Sequence, residues 1–108
     1  MIKVVHSNSL GLAQGLSSSF VEIDRSTEWG NPFRISSQMD RDQAVEAFKA
    51  YLWKRMQKSH TSDFSIRMVQ ALNNKTLVCW CKPKRCHGDV YRDAVAWVIR
   101  QSQNDMEV

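Results

Sequence analysis

Residues 75–81 read Lys-Thr-Leu-Val-Cys-Trp-Cys, a run that is apolar on both of its faces from Thr76 onward. A strand with no polar face belongs in the middle of a sheet, covered by helices on both sides. Pro83 ends the run, because a proline has no N–H to give to a ladder. Working outward, residues 2–6 (Ile-Lys-Val-Val-His) form a short β-rich stretch, and residues 20–24 alternate Phe-Val-Glu-Ile-Asp. Both read as strands. Residues 7–19, rich in Ser, Gly and Leu, and residues 25–38, containing Gly30-Asn31-Pro32, read as loops. A loop as long as the second, inside a compact chain, is usually functional or packed on itself.

Helical spacing takes over at Asp40. Asp40 and Gln43 make a capping box, and Ala44, Val45, Phe48, Tyr51, Leu52 and Met56 follow with the period of a buried face. A second helix is expected over residues 62–72, with Phe64, Met68, Val69 and Leu72 inward. Asn73 and Asn74 stop it, since asparagine tolerates the left-handed cap. A third helix starts at His87 or Gly88 and runs to about Gln103, its inner face traced by Val90, Ala94, Trp97, Val98 and Gln101. Residues 104–108 are expected to be a disordered tail.

This order predicts a small single-domain α/β sandwich over residues 1–108. A short parallel or mixed sheet is covered by helices in two or three layers. The composition agrees: 43% hydrophobic and 24% charged residues in 108 positions is a globular balance, which excludes a fully disordered chain. Apolar runs of only a few residues exclude a membrane span, and the start of the chain lacks the apolar stretch of a signal peptide. Three clustered cysteines, Cys79, Cys81 and Cys86, do not make a disulfide framework, so a reducing cytoplasm is the expected compartment. The net charge of 15 − 11 = +4 is compatible with a nucleic-acid or phosphate partner without requiring one.

If the sheet is parallel, ligands are expected beyond the carboxyl ends of its strands. Those ends lead into the segments that begin at Ser7, at Arg25 and at Lys82. The last of these, Cys79-Trp80-Cys81-Lys82-Pro83-Lys84-Arg85-Cys86-His87-Gly88-Asp89, and Trp29-Gly30-Asn31-Pro32-Phe33 are the most unusual stretches of the chain. Together they resemble a family of uncharacterised proteins of bacteriophages and bacteria. Its signature pairs Trp-Gly-Asn-Pro-Phe with Cys-Trp-Cys-Lys-Pro-x-x-Cys-His-Gly-Asp. Asp24 and Asn74 stand where that family usually has glycine. The resemblance implies a host-directed or anti-defence accessory role, in the host cytoplasm if the chain is phage-encoded. It supplies no reaction.

Three chemistries compete for these residues. Structural zinc would use Cys79, Cys81, Cys86 and His87. However, two strand residues on one face stand roughly 6.6 Å apart, more than two sulfurs on one tetrahedral metal allow. No metal or other cofactor is therefore expected. A reactive Cys86 is the second chemistry. A helix N-terminus and the cations Lys82, Lys84 and Arg85 favour its thiolate, with His87 beside it as the other candidate catalytic group. The spacing from Cys86 to Arg92 matches a cysteine phosphatase only weakly. The preferred reading is a nucleotide-like small molecule. Arg25 would hold its phosphate and Trp29 would stack on its base. Asn31 and Asp89 would bind sugar or base, and Gly88 would let the backbone approach. The competing readings are an inhibitor protein that binds a host factor without catalysis, and a zinc- or nucleic-acid-binding module. Each is compatible with a homodimer.

Overall fold

The computed structural model of the chain describes residues 2–6, 20–23, 27–33, 36–79 and 86–106. Within them run β1 (Lys3–His6), β2 (Phe20–Glu22), α1 (Arg41–Arg55), α2 (Asp63–Leu72), β3 (Thr76–Cys79) and α3 (His87–Met106). The three strands form one parallel sheet in the order β1-β3-β2, with β3 in the central place that its two apolar faces require. The chain is thus a small α/β fold. The register sets Val4, Leu77 and Val21 in one row across the sheet. Leu77 is fully buried in the main core, and Val4 and Val21 pack against that core from their half-buried positions.

α3 lies on β1 and β3, and both other helices pack on α3. This arrangement corrects the expected inner face of α3. The buried residues are Tyr91, Val95 and Val98, a stripe displaced from Val90, Ala94 and Trp97, which are only half-buried. A helix flanked by a sheet and two helices buries more than one stripe. The spread of apolar residues around it therefore does not single out the central line. α3 also continues through Met106, past Gln103. His60 Nε2 and Asp105 Oδ2 stand 2.6 Å apart and tie its last turn to the segment before α2.

The helix termini follow from local chemistry. Gln43 N–H donates to Asp40 Oδ1 at 2.8 Å, and Asp40 N–H donates to Gln43 Oε1 at 2.9 Å, closing the capping box of α1. Ser62 caps α2 by accepting the Ser65 N–H at 3.1 Å. Asn74, with φ 62°, takes the left-handed turn that leads into β3. The loop expected over residues 7–19, together with Trp80 and the cations Lys82, Lys84 and Arg85, lies outside the described residues.

Candidate functional site

The parallel register brings the carboxyl ends of all three strands to one edge, and α3 starts beside that edge. Gly88 explains how close it comes. A β-carbon there would stand 2.6 Å from Val4 Cγ1 and 3.0 Å from Ile23 Cδ1, so the first turn of α3 is pressed onto β1 and the end of β2. Gly88 thus serves close packing between helix and sheet.

Cys86 precedes this turn and caps it. Its Sγ accepts the Gly88 N–H at 3.3 Å, and its carbonyl accepts the Asp89 N–H at 3.0 Å. The Asp89 carboxylate reaches back to accept the Cys86 N–H at 3.3 Å. The pair therefore repeats the logic of a capping box, with sulfur in place of a hydroxyl. His87 Nε2 lies 2.6 Å from the Ile23 carbonyl oxygen, which can only accept, so Nε2 carries the proton. In the neutral ring the remaining lone pair is on Nδ1, which faces Cys86 Sγ at 3.7 Å. A thiol, an imidazole that can take its proton and a carbonyl that orients the imidazole are the parts of an activated nucleophile. Both side chains are buried, Cys86 with 1% exposure and His87 with 7%.

The Trp-Gly-Asn-Pro-Phe loop packs against α1, α2 and α3. Asn31 Oδ1 accepts the Phe33 N–H at 2.8 Å across Pro32, and Asn31 Nδ2 donates to the Ala44 carbonyl at 3.4 Å. Trp29 is buried, with its ring edge-on to Tyr91 at 5.8 Å and tilted on Phe64 at 6.1 Å. His87 stacks edge-on to Phe48, one turn along α1 from the Ala44 that holds Asn31. Trp29, Asn31, His87 and Asp89 are therefore gathered around α1 and the start of α3, each with a packing or hydrogen-bonding role. Arg25, Cys81 and the Cys79 side chain lie outside the described residues. Of the four-residue zinc set, only Cys86 and His87 can be placed. Among the described residues no three His, Cys, Asp or Glu side chains converge as a metal site would need.

Two features of the site have only a faint trace in the sequence. The first is a groove of about 760 Å³ between α1 and α3. Val45, Leu52, Met56, Val90 and Ala94 line it, as do Trp53 and Trp97, with Lys49, Arg92 and Asp89 among its polar groups. Trp53 and Trp97 meet edge to face at 5.0 Å, and Trp53 is 39% exposed. The second is Tyr91, one turn beyond His87, which that i,i+4 spacing could have revealed. Burial pushes its phenol well above the ordinary value of 10.0, while the charge of the Arg55 guanidinium pulls the other way.

A sequence model of the family described as a domain of unknown function (DUF4326) matches residues 12–97. The chain is also 34% identical, over 70 residues, to a protein of Enterobacteria phage T4 described as an uncharacterized 12.4 kDa protein in the nrdA-td intergenic region. That alignment covers 65% of this chain and 61% of the phage protein, so the chain spans about three fifths of that relative. No solved structure matches the chain. No helix among the described residues is long and apolar enough to cross a membrane.

Proposed function

The chain belongs to the DUF4326 family, and from that premise we propose that it binds a nucleotide-derived small molecule in the groove that starts at the first turn of α3. The make-up of the groove carries this reading. Its volume of about 760 Å³ lies within the range of small-molecule sites. The Trp53–Trp97 pair offers aromatic surface for a base. Lys49 offers positive charge for phosphate; Arg92 is shared with the carboxylates of Asp89 at 3.5 Å and Asp93 at 3.3 Å, and Asp89 offers an acceptor for ribose hydroxyls. Any processing of the ligand falls to Cys86 as nucleophile and His87 as base. Their burial supports a reading of binding over turnover. The reading extends to a host nucleotide signal as ligand class and to a counter-defence role; its support is that a relative is a phage protein.

The test is a titration of the full chain with mononucleotides, cyclic nucleotides and ADP-ribose-type molecules, read as melting temperature. A ligand at a hundred times its dissociation constant adds about 2.7 kcal/mol of stability. Asp89→Asn, which keeps the cap, should then melt normally and bind about tenfold to a hundredfold more weakly. A flat response across all three classes sinks the proposal. The exposure of Trp53 favours one second reading, a protein segment of the host seated in the same groove. A partner that buries Trp53 while every nucleotide fails would favour it.

A further inference from the structure

Tyr51 and Arg55 stand one turn apart on α1, at positions that do not line the α1–α3 groove. Gln57 and Lys58, with φ 56° and 53°, turn the chain so that the start of α2 returns to them. The Arg55 guanidinium lies over the Phe64 ring, 4.2 Å from its centre, and 5.7 Å from the centre of the Tyr51 ring. Arg67 lies over the same Phe64 ring at 5.5 Å and over Trp29 at 5.6 Å. At the other end, Phe33 meets Tyr51 edge-on at 5.8 Å. Phe33, Tyr51, Arg55, Phe64 and Arg67 thus form one continuous row of rings and guanidinium groups. The first four are half-buried and the Arg67 side chain is 49% exposed, so the row is part of the surface. Lys54 and Lys58, both exposed, flank Arg55 in the chain. Glu28 offsets part of this charge through its ion pair with Arg67 at 2.5 Å, and Asp63 begins α2. Four cations against two carboxylates leave the balance positive.

We propose that the row from Phe33 to Arg67 is a binding surface for single-stranded nucleic acid. A guanidinium held over a ring presents its outer face to a second planar group and keeps its N–H edges for oxygen atoms. Bases would stack on the outer faces of Arg55 and Arg67, and phosphates would lie along their N–H edges and along Lys54 and Lys58. A row that alternates planar groups and positive charge suits a chain that alternates bases and phosphates. The faces of the bases are hidden in a duplex, so the single strand is the form that fits. An acidic protein segment would satisfy the cations and leave the stacking faces unused. The surface shares no residue with the groove and does not rest on the nucleotide reading.

The experiment is fluorescence anisotropy of a dye-labelled oligothymidylate, roughly 12 nucleotides long to match the site sizes of single-strand binders. It is titrated with the full chain at several salt concentrations from about 50 to about 200 mM. Wild type is compared with Arg55→Lys, Arg67→Lys and Arg55→Gln, and melting temperatures check that each variant is folded. Lysine keeps the charge and loses the planar face. Each Lys variant should therefore bind about fivefold to a hundredfold more weakly, the loss of one stacked base, with the salt dependence of wild type. Arg55→Gln loses the charge as well, and its plot of log affinity against log salt should be shallower by about 0.7. The two Lys variants lie on different helices, so one of them alone still tests the surface if the other does not fold. No binding by wild type at the lowest salt overturns the proposal. So do folded Lys variants that bind as tightly as wild type, which would leave charge alone as the cause. Polyglutamate of matched charge that competes as well as the oligonucleotide, or a duplex of the same length that binds more tightly than the single strand, overturns it too.

Discussion

Cys86 occupies a position where helices usually begin with a hydroxyl, a carboxylate or an amide. Sulfur is a weak acceptor, yet the thiol takes the Gly88 N–H while Asp89 takes the Cys86 N–H, so two of the orphan donors at the start of the helix are met. These contacts fix what substitutions should do. Cys86→Ser keeps an acceptor at the cap and should change stability by less than about 1 kcal/mol. Cys86→Ala removes it and should cost about 0.5–2 kcal/mol. Urea denaturation distinguishes them, and an Ala variant as stable as wild type would show that the sulfur does not cap. Alkylation gives a second reading of the same residue. With 1% exposure, Cys86 should react with iodoacetamide far more slowly in the folded chain than in urea. Fast labelling of the folded chain would mean that the thiol is open and Cys86–His87 chemistry accessible.

The contact between α3 and the sheet rests on an absent side chain. Adding a methyl group at Gly88 would force it to 2.6 Å from Val4 Cγ1, well inside van der Waals contact. Alanine favours a helix over glycine by up to about 1 kcal/mol, but overpacking a tight contact costs about 1–3 kcal/mol. Gly88→Ala should therefore be destabilising, and Val4→Ala should be less costly in its presence than alone. A double-mutant cycle measures that coupling, and strict additivity would remove the proposed contact. The elements also show what a sequence can reveal. β3 was legible because its two apolar faces admit only a central place, and α1 because Asp40 and Gln43 announce its start. The inner stripe of α3 was not, since Val90, Ala94 and Trp97 are apolar for the sake of a groove and Tyr91, Val95 and Val98 for the core. Asn31, Gly88 and Asp89 were legible as unusual residues. Their hydrogen bonds within the fold were not, because a cap and a ligand contact call for the same side chains.

At the scale of the whole molecule, Tyr91 is where the parts meet. Its ring touches Trp29 of the loop after β2, Phe48 of α1 and His87, which in turn holds the Ile23 carbonyl beyond β2. A charge on this phenol would therefore be felt across the core. In the unfolded chain the group ionises near its ordinary value of 10.0, whereas burial raises that value in the folded chain. Below pH 10 both states keep the proton, and the contribution to stability is complete. Above pH 10 the unfolded state releases the proton and the folded state retains it, so the unfolded state binds fewer protons and stability falls with rising pH. The slope for one such group is about 1.4 kcal/mol per pH unit, and it persists until the folded phenol itself ionises. Tyr91→Phe removes this group and should flatten the alkaline limb of the stability curve by that amount, leaving the curve between pH 6 and pH 9 parallel to wild type. Urea denaturation at intervals from pH 8 to pH 11 measures both limbs. If the two chains lose stability equally above pH 10, the phenol is solvated, and its place in the core is refuted.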